Sequence, residues 1–209
     1  MSVYLFDFDG TLVDSMPTYG ALMIKILDEN KIKYRDDIIK IITPLGFVGT
    51  AKYFIELGLD MKEEDIIAKM NEYAIDAYTH RIEAKPTVID TLHELKKRGH
   101  SLNVLTASPH VTLDPCLKRL GIYGLFDNVW SCEDFGTTKA DVKIYHMAAD
   151  RMGAQVDDVI FLDDNFNADK TAKAAGMTVY GVYDDSSSEY VEEIKSLTDR
   201  YIYSFSELL

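Results

Sequence analysis

The sequence predicts an α/β protein with a Rossmann-like parallel sheet, helices on both faces and an inserted α-helical cap subdomain. Two observations predict the sheet: short apolar runs recur along the chain, and amphipathic segments of helical length separate most of them. Strands that alternate with helices are typical of βαβ units. A third observation, a long helical stretch after the first apolar run, predicts the insertion.

The first apolar run, Ser2 to Phe8, is followed by Gly10-Thr11, which is typical of a buried strand that ends at a turn. Five later runs of similar length predict further strands. These runs are Ser101 to Thr106, Val129 to Cys132, Val159 to Leu162, Thr178 to Val182 and Tyr201 to Tyr203.

Four amphipathic segments lie between these runs, and a glycine follows each of them, as is common at helix C-termini. They predict the helices Pro86 to Arg98, Pro109 to Leu120, Ala140 to Met152 and Asn167 to Ala175.

The stretch 15–84 interrupts the alternation, because it shows helical patterning without a convincing strand. Its helical segments are Tyr19 to Asn30, Val48 to Leu57 and Glu63 to Arg81. We therefore expect a core domain made of residues 1–14 and 85–209 and a helical cap domain made of residues 15–84. Ligands of such folds bind at the carboxyl edge of the sheet, where the cap would form a lid.

The 209-residue chain carries 22 basic and 35 acidic residues, a formal net charge of −13. This charge repels a phosphate backbone, so nucleic acid is not expected as a partner. An acidic site that handles a small anion needs a cation or a local lysine. If the chain binds a small phosphorylated metabolite, a metal is therefore expected at the site.

Cys116 and Cys132 are too few for a disulfide framework or a zinc cluster. The N-terminus lacks a charged segment followed by a long apolar one, so no signal peptide is expected. No run reaches the roughly 18 apolar residues of a membrane span. We expect a cytoplasmic protein with no membrane association.

Asp7 and Asp9 flank Phe8 at the end of the first predicted strand. Side chains two positions apart in a strand face the same side, so both carboxylates can share one small space. Such crowding is costly without a cation or a shared proton, and it indicates function more than stability. The alternative for an isolated pair of this kind is a solvated Asp-Gly turn.

Thr106 ends the second predicted strand, and Ser108-Pro109 is typical of an N-cap followed by the first helical residue. The Thr106 hydroxyl, main-chain N–H groups such as that of Ala107, and the helix N-terminus can all donate to phosphoryl oxygens. Lys139 precedes the next predicted helix and would supply a fixed positive charge. Taken singly, a strand-turn-helix connection and a surface lysine are both common structural features.

Asp163 and Asp164 follow the apolar run Val159 to Leu162, again at a carboxyl end. Mg²⁺ prefers oxygen ligands, so carboxylates from separate strand ends together with a substrate oxygen make a suitable site. Asn165, Asn167 and Asp169 are close enough to support this site, but their expected role is to cap the following helix.

Together these segments resemble the four motifs of the haloacid dehalogenase superfamily. The residues that carry the resemblance are Asp7-Phe8-Asp9-Gly10-Thr11-Leu12, Thr106, Lys139 and Asp163-Asp164, in that order. The helical insertion after the first motif is similar to the cap of the phosphoglycolate phosphatase and β-phosphoglucomutase-like branch. The resemblance covers nearly the whole chain.

The resemblance implies that Asp7 is the nucleophile, that Asp9 is the general acid and base, and that Thr106 and Ala107 bind phosphate. Lys139 would orient Asp7 and neutralise phosphate charge. Mg²⁺ would be held by Asp7, the main-chain carbonyl of Asp9 and Asp164, with Asp163 as a further ligand or a neighbour of the ligands.

Two positions depart from the family pattern. Related enzymes have Lys-Pro-x-Pro, whereas Lys139 is followed by Ala140-Asp141-Val142, so Lys143 is an alternative for this role. The fourth motif commonly ends in an acid or amide at a position occupied here by Ala168. Either Asn167 or Asp169 substitutes for it, or no residue does.

The resulting hypothesis is a Mg²⁺-dependent phosphatase that forms an aspartyl-phosphate. A phosphomutase uses the same first half-reaction, and cap residues, for which Thr43 to Lys52 is the candidate segment, would distinguish the two. A 2-haloacid dehalogenase is less expected because that reaction needs no second aspartate to protonate an alcohol. A binding module that has lost its activity is a further alternative, and the substrate and oligomeric state stay open.

Overall fold

The computed structural model describes residues 1–42 and 45–209. The chain divides into two compact units. One, called here the core unit, comprises Met1–Asp14 and Glu83–Leu209, and the other, the helical unit, comprises Ser15–Ile82.

The core unit contains a parallel sheet, which confirms the predicted α/β Rossmann-like fold class. Among the described residues the sheet has six strands in the order β3-β2-β1-β4-β5-β6. The strands are β1 (Val3–Phe6), β2 (Ser101–Thr106), β3 (Asn128–Ser131), β4 (Val159–Asp163), β5 (Thr178–Val182) and β6 (Arg200–Ile202). The order reverses beside β1, which pairs with both β2 and β4. Ligands of open α/β sheets bind at such a switch point.

Helices are numbered along the whole chain, so those of the helical unit come first. Its helices are α1 (Met16–Glu29), α2 (Ile38–Ile42), α3 (Gly46–Glu56) and α4 (Glu63–His80). They enclose their own apolar cluster, in which Ile26, Phe54 and Ile66 are fully buried. The short helix α2 was not predicted. The role of this unit as a lid stays a prediction.

The segment Thr43 to Lys52, expected to face a substrate, is described only from residue 45 onward; its first two residues lie outside the described residues. The remainder forms the start of α3.

The helices of the core unit are α5 (Val88–Lys97), α6 (His110–Arg119), α7 (Lys143–Met152), α8 (Phe166–Ala175) and α9 (Val191–Leu197). Four of them correspond to predicted helices, and α9 was not predicted. Helix α7 begins three residues later than expected, because Asp141 accepts a hydrogen bond from the Lys143 N–H at 3.0 Å and forms a turn there.

Strand β1 ends at Phe6, two residues before the predicted end. The chain turns back here, since the Phe8 carbonyl accepts hydrogen bonds from the N–H groups of Leu12 and Val13 at 2.9 and 3.0 Å. Leu5 and Phe6 are both fully buried, so apolar layers cover both faces of β1. None of the described helices has the length and apolar character needed to cross a membrane.

Gly181 in β5 provides a test of the packing between the sheet and α9. A methyl group at Gly181 would lie 2.4 Å from Ile194 Cγ2 and 2.9 Å from Tyr201 Cδ2. Ile194 is fully buried and has little room to move. We expect Gly181→Ala to lower the free energy of unfolding, measured by urea denaturation, by about 1–3 kcal/mol.

Gly124→Ala is the matched control, because a methyl group there has no neighbour within 4 Å. The control is expected to change stability by less than about 0.5 kcal/mol. Equal stability of the two variants would show that α9 does not pack tightly on β5.

Candidate active site

Acidic residues from the two central strands meet at the carboxyl edge of the sheet. Asp7 follows β1, and its N–H donates to the Leu162 carbonyl of β4 at 2.8 Å. Asp163 ends β4, and Asp164 follows it. One carboxylate oxygen from each of the three lies within 4.8 Å of the others, and all three residues are buried. The structure thus brings together residues predicted from the first and last motifs.

Lys139 reaches this acidic group from the segment before α7. Its Nζ donates to Asp163 Oδ2 at 2.8 Å and also to Asp7 Oδ1. Burial opposes the ammonium charge, but Asp163 and Asp7 outweigh burial and raise the pKa of Lys139 above its ordinary value. The alternative lysine, Lys143, is an exposed residue at the start of α7. The geometry therefore brings Lys139 to the acidic group.

One ammonium group does not balance the buried acids. Burial, followed by the charges of Asp163 and Asp9, raises the pKa of Asp7 to about 8 even with Lys139 beside it. Burial and Asp163 likewise raise the pKa of Asp164. Without further positive charge, burial and mutual repulsion therefore favour the protonated forms of these acids.

Asp169 adds a further buried carboxyl group next to this cluster. It is fully buried in α8, and neither of its oxygens has a hydrogen-bond partner among the described residues. Burial, then Asp163 and Asp164, raise its pKa. An unpaired buried carboxyl group is costly, so this corner of the core unit suits a cation with bound water. The oxygen-only donor set fits a hard divalent cation such as Mg²⁺.

Asp9 lies beside this group, but its carboxylate has a different partner. Asp9 is half-buried, and its Oδ2 accepts a hydrogen bond from Ser108 Oγ at 2.5 Å. Ser108 was predicted to cap the following helix. Instead α6 begins at His110 with Pro109 at the N-cap, and the Ser108 hydroxyl binds Asp9. The loop that follows β2 therefore holds the Asp9 side chain through Ser108.

Thr106 and Ala107 lie at the end of β2, in front of α6. The buried Thr106 hydroxyl accepts a hydrogen bond from the Ser108 N–H at 3.0 Å. Its own O–H is still available to donate to an anion. Ala107 is exposed, so its main chain is accessible at the same edge.

Gly10 and Thr11 form the wall beside Asp164. Gly10 has φ +76°, and a methyl group there would lie 2.6 Å from Asp164 Oδ2. Only glycine therefore fits without a shift. Thr11 Oγ1 donates to Asp164 Oδ1 at 3.0 Å. The sequence predicted a turn at Gly10-Thr11, but neither the packing of Gly10 against Asp164 nor the Thr11 contact.

Tyr145 holds the segment that carries Lys139, where the proline pattern of related enzymes is absent. Its hydroxyl lies 3.1 Å from the carbonyl oxygens of both Lys139 and Ala168. Tyr145 is fully buried, so this contact joins the Lys139 segment to α8. As predicted, Asn165 caps α8, accepting from the Asn167 and Ala168 N–H groups at 3.0 and 3.2 Å. The same prediction was wrong for Asp169, which lies inside α8 and caps no described N–H group. No sequence signal identified Tyr145.

The chain is similar to known proteins of the haloacid dehalogenase-like family in both sequence and fold. Residues 1–176 match the family model of the haloacid dehalogenase-like hydrolases. The pyrophosphatase PpaX of Bacillus velezensis is 28% identical over 186 residues, which cover 87% of this chain and 83% of PpaX. A glyceraldehyde 3-phosphate phosphatase of Methanocaldococcus jannaschii is 33% identical over 124 residues, 54% of each chain.

A solved structure from Thermotoga maritima, provisionally described as a β-phosphoglucomutase, superposes with a TM-score of 0.83. It is 21% identical, and the match covers 97% of this chain and 94% of that one. At this level of identity the likeness concerns the fold.

The crowding of the carboxylates predicts that a divalent cation stabilises the folded chain. We expect Mg²⁺ to raise the melting temperature of the wild-type chain, because a bound cation relieves the repulsion between buried acids. Asp164→Asn should abolish this rise, and it should make the metal-free chain at least as stable as the metal-free wild type. Differential scanning calorimetry with and without Mg²⁺ measures both effects.

Asp158→Asn is the matched control, since Asp158 is an exposed acid before the opposite end of β4. The control should keep the full Mg²⁺-dependent rise. If Asp164→Asn keeps it as well, the cation binds elsewhere.

Proposed function

The chain belongs to the haloacid dehalogenase-like hydrolases, and from this premise we propose that it is a Mg²⁺-dependent phosphatase in which Asp7 attacks a small phosphate monoester. Its curated relatives are named as phosphatases, and the chain is a hydrolase of that class. The metal, the substrate and the residue roles are the parts proposed here.

The observation that carries the proposal is the meeting of Asp7, Lys139 and Asp164 at one sheet edge. Asp7 is a buried carboxylate with an ammonium group beside it, as a nucleophile for an anionic substrate requires. Asp163 and Asp164 would supply a cation site, since one carboxylate oxygen of each lies within 4.8 Å of an Asp7 oxygen. A purely structural group would gain nothing from burying so many acids together.

Mg²⁺ would be held by carboxylate oxygens of Asp7 and Asp164 and by the main-chain carbonyl of Asp9, with Asp163 as a further ligand or neighbour. When bound, the ion neutralises charge on the transferring phosphoryl group. Lys139 offers a second positive charge on the protein side. Thr106 O–H and the Ala107 N–H donate to the remaining phosphoryl oxygens.

In the first step the Asp7 carboxylate attacks phosphorus, and the bond from phosphorus to the ester oxygen breaks. Asp9, in its protonated form, gives its proton to the departing alcohol. The product on the protein is an aspartyl-phosphate at Asp7. Ser108, hydrogen-bonded to Asp9 at 2.5 Å, holds that carboxyl group in place for the transfer.

In the second step Asp9 acts as a base and removes a proton from water. The water oxygen attacks phosphorus, the acyl-phosphate bond breaks, and inorganic phosphate leaves with Asp7 restored. A phosphomutase would pass the phosphoryl group to a sugar instead. The two curated relatives are named for pyrophosphate and for glyceraldehyde 3-phosphate, so both compounds belong in a substrate panel.

Removal of the nucleophile is the first test of this mechanism. We expect Asp7→Asn to lower phosphate release from p-nitrophenyl phosphate and from the best ester of the panel by more than about 1,000-fold, because an amide does not form the acyl-phosphate. Release of phosphate is measured with Mg²⁺ and with a chelator, which should abolish wild-type activity.

Asp14→Asn, a change at an exposed acid after the first motif, is the control and should keep wild-type rates. Full activity of Asp7→Asn would contradict the proposed nucleophile. Wild-type activity that persists in the chelator on 2-haloacids, with none on phosphate esters, would favour a dehalogenase.

The role of Asp9 is tested with two leaving groups. p-Nitrophenolate leaves without a proton, whereas an alkoxide needs one. We expect Asp9→Asn to lower kcat/KM for an alkyl phosphate at least tenfold more than kcat/KM for p-nitrophenyl phosphate. An equal loss on both esters would contradict the acid role of Asp9, since kcat/KM reports the steps up to departure of the alcohol.

A further inference from the structure

Lys85 carries an ammonium group whose three donors each have an acceptor. Its Nζ donates to the carbonyl oxygens of Gly10 at 2.7 Å and Tyr183 at 2.5 Å, and to Asp184 Oδ2 at 2.9 Å. The side chain is 16% exposed and that of Asp184 is 6% exposed. A largely buried, fully satisfied lysine has a fixed position, unlike a solvated surface lysine.

Of the three acceptors, the Gly10 carbonyl belongs to the loop that carries Asp9. Gly10 follows Asp9 directly, and its α-carbon lies so close to Asp164 that a methyl group would be 2.6 Å from the carboxylate. The backbone at Gly10 therefore packs directly against the Asp164 side chain. A group that fixes this carbonyl also fixes the backbone from which the Asp9 side chain extends.

The main chain around Lys85 lies along the same loop. The Lys85 N–H donates to the Leu12 carbonyl at 3.0 Å, and the Asp14 N–H donates to the Glu83 carbonyl at 2.9 Å. Val13 and Ala84 form an isolated antiparallel bridge. Residues 83–85 thus form one side of the loop 10–14, and the ammonium group closes its end.

Asp184 anchors the other end of the contact. Its Oδ1 accepts hydrogen bonds from Ser186 N–H at 2.9 Å and Ser186 Oγ at 2.6 Å, which leaves Oδ2 for Lys85. Asp184 follows β5, the strand next to β4. Lys85 therefore ties the loop after β1 to the loop after β5, across the strand end that carries Asp164.

We propose that Lys85 is a positioning residue for phosphoryl transfer: by holding the Gly10 carbonyl it directs the Asp9 carboxyl group toward the leaving oxygen. This inference rests on the proposed phosphatase function. It assigns Lys85 no contact with substrate, so its removal should impair the proton transfer that Asp9 performs rather than phosphate binding.

The test compares Lys85→Met with the wild type on the same two leaving groups, with Mg²⁺ present. Misplacement of an acid by a fraction of an ångström is enough for a large loss of rate. We expect kcat/KM for an alkyl phosphate to fall at least tenfold, and kcat/KM for p-nitrophenyl phosphate to fall less than threefold. A merely structural defect would lower both values by the same factor.

Three further variants separate the contacts of Lys85. Asp184→Asn keeps the bond to Gly10 and should retain both kcat/KM values within threefold. The double variant Lys85→Met/Asp184→Asn should be as impaired as Lys85→Met. Lys97→Met removes an exposed lysine of α5, 80% exposed, and should behave as the wild type.

The proposal is overturned if Lys85→Met keeps kcat/KM for the alkyl phosphate within twofold, or if it loses activity on both esters equally. Recovery in the double variant would also overturn it, because the defect would then come from an unpaired Asp184. If Lys85→Met does not fold by circular dichroism, Lys85→Gln takes its place under the same thresholds. Failure of both to fold makes Lys85 a folding residue and rejects the assignment.

The outcomes also separate this inference from the function on which it rests. A folded wild type that hydrolyses no ester of the panel contradicts the phosphatase function itself. An active wild type with an equally active Lys85→Met contradicts only the role of Lys85.

Discussion

The accumulation of buried negative charge at the ends of β1 and β4 is the constraint on which the site depends. Asp7, Asp163, Asp164 and Asp169 are all buried here, and Lys139 pairs with the first two of them. Water would stabilise these charges better than the interior does, so the arrangement is tolerable only with protons or a cation in place. A bound divalent cation, as the proposed function requires, would relieve this imbalance and offset the repulsion between the acids and a phosphoryl group.

The parallel sheet brings these acids together because neighbouring strands end at the same edge. Asp7 and Asp163 lie at equivalent ends of neighbouring strands, and Leu162 receives the Asp7 N–H directly. Thr106, at the end of the strand on the other side of β1, faces the same edge. Because each residue directly follows or ends a buried strand, the core that stabilises the fold also fixes the main-chain positions of the site.

Contacts from two loops and from α7 then hold the individual groups of the site. Ser108 holds the Asp9 carboxylate, Thr11 holds that of Asp164, and Tyr145 holds the backbone of Lys139. Lys139 is followed by Ala140 and Val142 rather than by proline, so this hydrogen bond restrains the backbone there instead. A buried hydroxyl on a carbonyl provides a comparable restraint through hydrogen bonding.

The sequence by itself determined the fold class and the identity of the acidic cluster, because both follow from local rules. Apolar runs set the strands, and Asp7, Asp163 and Asp164 lie at the carboxyl ends of two of those runs. Only the tertiary structure decided the partners of Ser108 and Lys85 and the burial of Asp169. Their neighbours are distant in the chain: Ser108 contacts Asp9 across 99 positions and Lys85 contacts Asp184 across 99 positions. Such contacts depend on how loops pack around a finished sheet, and periodicity along the chain carries no information about that packing.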